Sequence, residues 1–205
     1  MLLVIETTTA ACSVALLDRE QIIDERHEMV GRGHAERLVP MIEELLGGRR
    51  PSAILVDCGP GSFTGIRVGL AAAHGLAIGW GVPLDGFTST ALLAAGAAAR
   101  GAATGAIAIA LTGGHGQLFV QSYQGDTIHA LDALRSLDPE EAAAVIAAHD
   151  VFGSGAAILV AARGHGAAHE ASVRAADAHL IPGRLRCLAP RPIYGRAPDA
   201  KPMRP

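Results

Sequence analysis

Apolar residues run unbroken from Leu2 to Ile5 and Glu6 follows at once, the pattern of a strand buried on both faces. A turn at Thr9–Ala10 leads into a second strand from Cys12 to Leu17, and Asp18-Arg19-Glu20 turns the chain again. Gln21 to Glu28 alternates and predicts a third strand. Beyond Gly31-Arg32-Gly33 the period changes. Leu38, Met41, Ile42 and Leu45 share one face of a helix from His34 to Leu46, with Glu36, Arg37, Glu43 and Glu44 elsewhere. Pro40 predicts a kink there, and Gly47-Gly48 ends the helix. A fourth strand, Ala53 to Val56, enters a glycine-rich loop, and a helical pattern runs from Ile66 to Gly81. That helix carries small residues almost all round (Gly69, Ala71, Ala72, Ala73, Gly75, Ala77, Gly79), which predicts close approach of a neighbouring element or subunit. Pro83 to Phe87 reads as a short strand, and Ser89 as the cap of an alanine-rich helix to Arg100.

Gly101 to Gly105 is the predicted boundary between halves. After it, Ala106 to Leu111 and Leu118 to Tyr123 pair around Thr112-Gly113-Gly114-His115-Gly116. Asp138-Pro139-Glu140-Glu141 opens a helix with cap, proline and an acidic first turn. Residues 150–190 are weakly patterned, and Pro190 to Pro205, with five prolines, reads as extended or disordered. Three antiparallel strands, then helix, strand, helix, strand, helix, followed by a smaller copy, predict an α/β protein with a ribonuclease H-like core used twice. The expected divisions are residues 1–100, 101–190 and an extended tail, 191–205.

Composition narrows the class. Half the residues are hydrophobic but only 3% are aromatic, so the core is built from Ala, Leu, Val and Ile. A formal charge of -3 leaves no electrostatic footprint for direct binding of nucleic acid or a membrane. Cys12, Cys58 and Cys187 share no short spacing, which excludes a disulfide framework and a zinc motif and fits a reducing compartment. The N-terminus lacks a basic segment and a cleavage site, and the apolar run Val68 to Val82 is short for a bilayer span. The expectation is a soluble, cytoplasmic protein.

Gly59 to Gly69 reads Gly-Pro-Gly-Ser-Phe-Thr-Gly-Ile-Arg-Val-Gly between a strand and a helix. Such a loop points free N–H groups at its occupant and can cradle a phosphate or carboxylate. A P-loop ends in Gly-Lys-Ser/Thr; Thr64-Gly65-Ile66-Arg67 stands here, with no lysine to reach a phosphate. The bland reading, a structural turn kept for packing or a partner, therefore outweighs autonomous catalysis. Glu6 with Asp57 is a weak magnesium hint, since such a site normally also needs bound phosphate. His165 and His169 have i, i+4 spacing, but Gly164 and Gly166 disfavour a helix and no third ligand is evident, so surface histidines are expected. Cys58 has no base placed to activate it.

Four stretches resemble one family. They are Ile5-Glu6-Thr7-Thr8 with Cys12-Ser13-Val14-Ala15-Leu16, His34-Ala35-Glu36-Arg37-Leu38-Val39-Pro40, the Gly59–Gly69 loop, and Pro192-Ile193-Tyr194-Gly195-Arg196. Together they look like the TsaB (YeaZ) family, bacterial partner proteins needed for the N6-threonylcarbamoyl modification of adenosine 37 in tRNA and formerly grouped with M22 glycoprotease-like proteins. The resemblance is dense over residues 1–100, thin over 101–190, and returns in the tail, where Lys201 loosely matches the family's ending. It implies the actin/Hsp70/ribonuclease H-like (ASKHA) fold, with two subdomains, each a mixed sheet with flanking helices.

The resemblance also implies a non-catalytic paralogue of the transferase TsaD, which it binds together with the ATPase TsaE. Homodimerisation through the same helices is a further possibility, and tRNA would be met only indirectly. TsaD-like proteins carry a metal-binding His-x-x-x-His where Ser89 and Leu93 stand here, so neither metal nor cofactor is expected. The family's docking surface maps onto His34, Arg37, Leu38, Met41, Ile42 and Leu45 of the first helix, and Arg67, Leu70, Ala73, His74 and Ala77 of the second. By default the first stripe is simply a core face. Thr7, Thr8, Gly59, Gly61, Ser62, Thr64 and Gly65 form a vestigial nucleotide loop on this reading. This chain departs from the family at Glu6, where Asp is commoner, at Thr112-Gly113-Gly114, where the family has Asp-Ala-Arg, and in the segment before Pro192, too short for the usual terminal helix. The rival is an active ATPase or phosphotransferase using Glu6, Thr7, the Gly59–Gly65 loop and Thr112–Gly114. A metallopeptidase ranks lower because the histidine pair is missing.

Overall fold

The computed structural model describes residues 1–101 and 105–195. Part of the expected 101–105 boundary and most of the tail, including Lys201, lie outside the described residues. In the first half, β1 (Leu2–Glu6), β2 (Ala11–Asp18), β3 (Gln21–Met29), β4 (Ala53–Asp57) and β5 (Leu84–Phe87) form one sheet in the order β3-β2-β1-β4-β5. β2 and β3 are antiparallel to their neighbours, whereas β1, β4 and β5 run parallel. Three helices accompany it: α1 (His34–Leu46), α2 (Phe63–Trp80) and α3 (Ser89–Ala99).

The second half repeats this order. β6 (Ala106–Thr112), β7 (Leu118–Gln124), β8 (His129–Ala130), β9 (Arg135–Leu137), β10 (Asp150–Phe152) and β11 (Ala167–His169) form a sheet in the order β11-β10-β6-β7-β8, with β9 also pairing with β7. The third strand of the repeat is thus split in two, and the helices α4 (Pro139–Val145) and α5 (Ala156–Arg163) are short. After β11 come two 3-10 turns, Ala175–Leu180 and Gly183–Leu185, where a longer terminal helix would lie in a full repeat.

Three apolar clusters set the layers. Leu3, Ile5, Ile54 and Val56 face α1 and α2 on one side of the first sheet. Val4, Leu55, Ile107, Ile109 and Phe119 turn inward from both sheets onto α3, which is buried all round over residues 89–97. Ala108, Ala110 and Val120 face α4 and α5. The two sheets therefore share one central core rather than two separate ones, with α3 as the filling between them.

Several expectations need adjustment. α2 begins at Phe63, three residues before the apolar pattern, because the Ser62 side chain accepts from Gly65 N and starts the helix in the loop itself. Thr88, not Ser89, caps α3, its side chain accepting from Ala91 N. α1 passes through Pro40 as a single element. Residues 188–194 are ordered as a strap. Leu188 exchanges backbone hydrogen bonds with Gly86 at 2.8 and 3.0 Å, extending the sheet beyond β5. Ile193 N then donates to Cys58 O at 2.7 Å, and Ile193 and Tyr194 pack on the α1–α2 core. Among the described residues no helix is long and apolar enough to cross a membrane.

Candidate functional site

The strand ends β1 and β4 carry Glu6 and Asp57 side by side, both fully buried. Between them the loop is wired inward. Thr8 donates from its N–H to Glu6 Oε1 at 2.6 Å and from its hydroxyl to the same oxygen at 2.8 Å. Ser89 Oγ lies 3.0 Å from Thr8 Oγ1, Asp57 Oδ1 and the Pro60 carbonyl. Gly59 N donates to Asp57 Oδ1 at 2.8 Å, Ser62 N to Thr8 O at 2.6 Å, and Ile66 N to Ser62 O at 2.9 Å. The peptide bond between Gly59 and Pro60 is cis.

Glycine is demanded at several points of this packing, Gly59, Gly61, Gly65 and Gly69 among them. At Gly59, φ is +105°, and an added methyl would collide with the Ile193 carbonyl of the strap. At Gly65 it would overlap the Thr7 carbonyl. The inward glycines of α2 are thus there so that the helix can sit on Thr7, whereas Gly75 and Gly79 face open space.

Burial governs the acid pair. Glu6 is pushed up to about 7 by desolvation, against the lowering effect of the Thr8 hydrogen bonds. Asp57 is raised well above the usual carboxylate range by desolvation first and by the Glu6 charge second. Glu6 Oε2 has no hydrogen-bond partner. Both Cys12 and Cys58 are raised to about 12, chiefly by burial, which leaves neither thiol available as a nucleophile near neutral pH.

Above this network a cleft of about 1160 Å³ separates the halves. Thr8–Ala11 and Gly61–Phe63 line one wall, Leu111–Gly114, Phe119 and Ser154 the other. Thr8, Gly61 and Ser62 of the expected nucleotide loop reach it, as do Thr112 and Gly114. Thr7, Gly59 and Gly65 do not line the cleft and are buried, Thr64 is exposed, and Glu6 and Asp57 lie beneath the loop. Among the described residues no three of His, Cys, Asp and Glu come together as a metal site. His169 lies in β11, pairs with Asp150 at 2.8 Å and stacks on Phe152, while His165 follows α5 and is exposed.

The expected docking stripe requires correction. His34, Leu38, Met41, Ile42, Leu45, Leu70 and Ala73 are buried inside the chain, packed on the first sheet or, for His34, bonded to Ala11 O at 3.0 Å. The apolar periodicity that marked them is that of a core face. Ala77 is half-buried. Arg37 is engaged by Glu28 and Glu44, whose carboxylates hold it above its usual range and are themselves lowered by it. What α1 and α2 expose instead is Val39, Phe63, Arg67, Ala71, His74 and Ile78, the last with 82% of its surface free. Reading the helical wheel outward from Arg67 at i+4, i+7 and i+11 would have found this face.

The fold matches known proteins. The structure superposes on YeaZ from Pseudomonas aeruginosa with a TM-score of 0.79 and 28% identity, covering 94% of this chain and 98% of that one. With two duplicated mixed sheets around a cleft, it is an actin/Hsp70/ribonuclease H-like protein. The family model described as TsaD, tRNA N6-adenosine threonylcarbamoyltransferase, matches residues 21–196. Curated relatives named tRNA threonylcarbamoyladenosine biosynthesis protein TsaB include that of Escherichia coli K12, 35% identical over 130 residues, covering 61% of this chain and 55% of the relative. The Haemophilus influenzae TsaB is 44% identical over 88 residues, covering 40% and 37% respectively. The chain thus aligns with about half or less of the length of these curated relatives. It belongs to the TsaD-like family and, within it, to the TsaB/YeaZ group.

Proposed function

We propose that this chain is a non-catalytic subunit in threonylcarbamoyladenosine synthesis on tRNA, binding a TsaD-like transferase and favouring its active form. The observation that carries this reading is the inward wiring of the glycine loop. The Thr8 and Ser89 hydroxyls beside it are spent on Glu6 and Asp57, Gly59 N on Asp57, and the N–H groups of Ser62, Gly65 and Ile66 on Thr8 and Ser62, so little remains to hold a reacting group. Leu93, at the position where the resemblance expects the second metal-binding histidine, is a core residue of α3, and Ser89 is buried against Asp57. The exposed apolar face of α2 supplies a surface for a partner. Activation requires contacts that differ between the partner's two conformations. The TsaE-like ATPase joins this complex on the same reading.

Reconstitution tests it. With the cognate transferase, TsaE-like ATPase and tRNA, modified adenosine is expected only when this chain is present, and the chain alone is expected to be inactive. Transfer by the isolated chain, or modification at an undiminished rate in its absence, would overturn the reading.

A further inference from the structure

The outer face of α2 repeats at Arg67, Ala71, His74 and Ile78, all exposed. At its N-terminal end the strap adds Tyr194. The Arg67 guanidinium carbon lies 3.6 Å from the centroid of the Phe63 ring and 5.7 Å from that of Tyr194. The two rings are 4.7 Å apart, and Arg67 Nε donates to the Tyr194 hydroxyl at 3.1 Å. Among the described residues Nη1 and Nη2 meet no acceptor, and no carboxylate pairs with this side chain.

A flexible arginine normally loses much rotamer freedom on binding. Here the aromatic stack and the Nε bond have already fixed it, so less is lost when a ligand arrives. Its two terminal nitrogens form a planar fork that matches two oxygens of one anion.

We propose that Arg67 anchors the docking face by receiving the carboxylate of an acidic side chain on the transferase partner. This rests on the docking role proposed above. The surroundings favour a carboxylate on a protein over a phosphate on RNA. Ala71 and Ile78 on the same face are apolar, and His74 is turned to the Pro190 carbonyl at 3.1 Å. The chain carries a net charge of -3, whereas gripping a nucleic-acid backbone takes several clustered cations. An arginine held by two aromatic rings on the same helix face as an exposed aliphatic side chain, Ile78, has the composition of a binding hot spot.

The test is the affinity of the full chain for its cognate transferase, measured by calorimetry at low and high salt. Wild type is compared with Arg67→Gln, Arg67→Lys, Tyr194→Phe and Ile78→Glu, with thermal melts to verify folding. Arg67→Gln is expected to weaken binding about 10- to 50-fold and to flatten its salt dependence. Arg67→Lys, which keeps the charge without the fork, is expected to lose about 5-fold. Tyr194→Phe is expected to lose about 2- to 3-fold through lost positioning. If Ile78→Glu abolishes binding while Arg67→Gln stays within about twofold of wild type, docking stands and the anchor is overturned. If wild type does not bind at all, docking falls and the anchor with it. Two other outcomes are that Arg67→Gln weakens tRNA binding by the chain, or dissolves a dimer of the chain in sedimentation, with transferase affinity unchanged. Either result assigns the fork to a phosphate or to a second copy and overturns the proposal.

Discussion

The Thr7 hydroxyl donates to the Gly65 carbonyl at 2.8 Å, across 58 residues of sequence, and Gly65 sits so close to Thr7 that it has no room for a side chain. This contact locks the end of β1 under the first turn of α2. Gly65→Ala is predicted to cost at least about 1–3 kcal/mol, because the added methyl meets backbone rather than a movable side chain. Gly75→Ala, on the open side of the same helix, is predicted to stabilise by about 0.5–1 kcal/mol through backbone entropy. Chemical denaturation of the two variants distinguishes the inner and outer glycines; equal effects would contradict it.

Leu38→Glu and Ala73→Arg are predicted to unfold the protein rather than merely release a partner. Both sites are buried, and a new buried charge without a counterpart costs about 4 kcal/mol or more. Ile78→Glu is predicted to change stability by less than about 0.5 kcal/mol while abolishing transferase binding. Circular dichroism melts run beside pull-downs separate these outcomes.

Glu6 titrates in the fold near 7 rather than at its ordinary 4.5, so the folded state resists its ionisation. Its favourable contribution is therefore full below about 4.5 and is lost as pH rises to about 7, a loss of about 3 kcal/mol. Glu6→Gln keeps an oxygen for the Thr8 hydrogen bonds and removes the charge. It is predicted to raise stability at pH 8 by about 1–3 kcal/mol and to flatten the profile between pH 5 and 8. A wild-type profile with no slope in that window would disprove the assignment.

Millimolar magnesium ATP is predicted to leave the melting temperature unchanged. The cleft has the volume for a nucleotide, but the acids that would hold a metal are sealed beneath the loop. A clear upward shift would instead favour an active nucleotide site.

How legible this was varies with the physical signal. The inner strands of the first half and α1 are readable because each buries a regular pattern, both faces in the unbroken Leu2–Ile5 run and one face in the Leu38/Met41/Ile42/Leu45 stripe. That same stripe is the core face of its default reading, since periodicity reports burial without saying what covers it. The apolar pattern starts α2 three residues late because Ser62, a cap, carries no apolar mark. In the second half, β8 to β11 are two or three residues long, too short for any period to emerge. Tyr194 could not be joined to Phe63 and Arg67 by inspection, since that contact spans 127 residues. The glycine loop stands out in the sequence, yet its inward wiring depends on Ser89 and Thr8, brought together only by the fold.

The strap that pairs with Gly86 comes from residues made long after β5. During synthesis the first sheet therefore waits with its β5 edge open while the whole second half emerges from the ribosome. An open edge is a template for mispairing with other chains. Ribosome-bound chains stopped before Leu188 should therefore aggregate or recruit chaperones more readily than chains extended past Tyr194, which makes the strap a late safeguard of assembly as well as part of the finished surface.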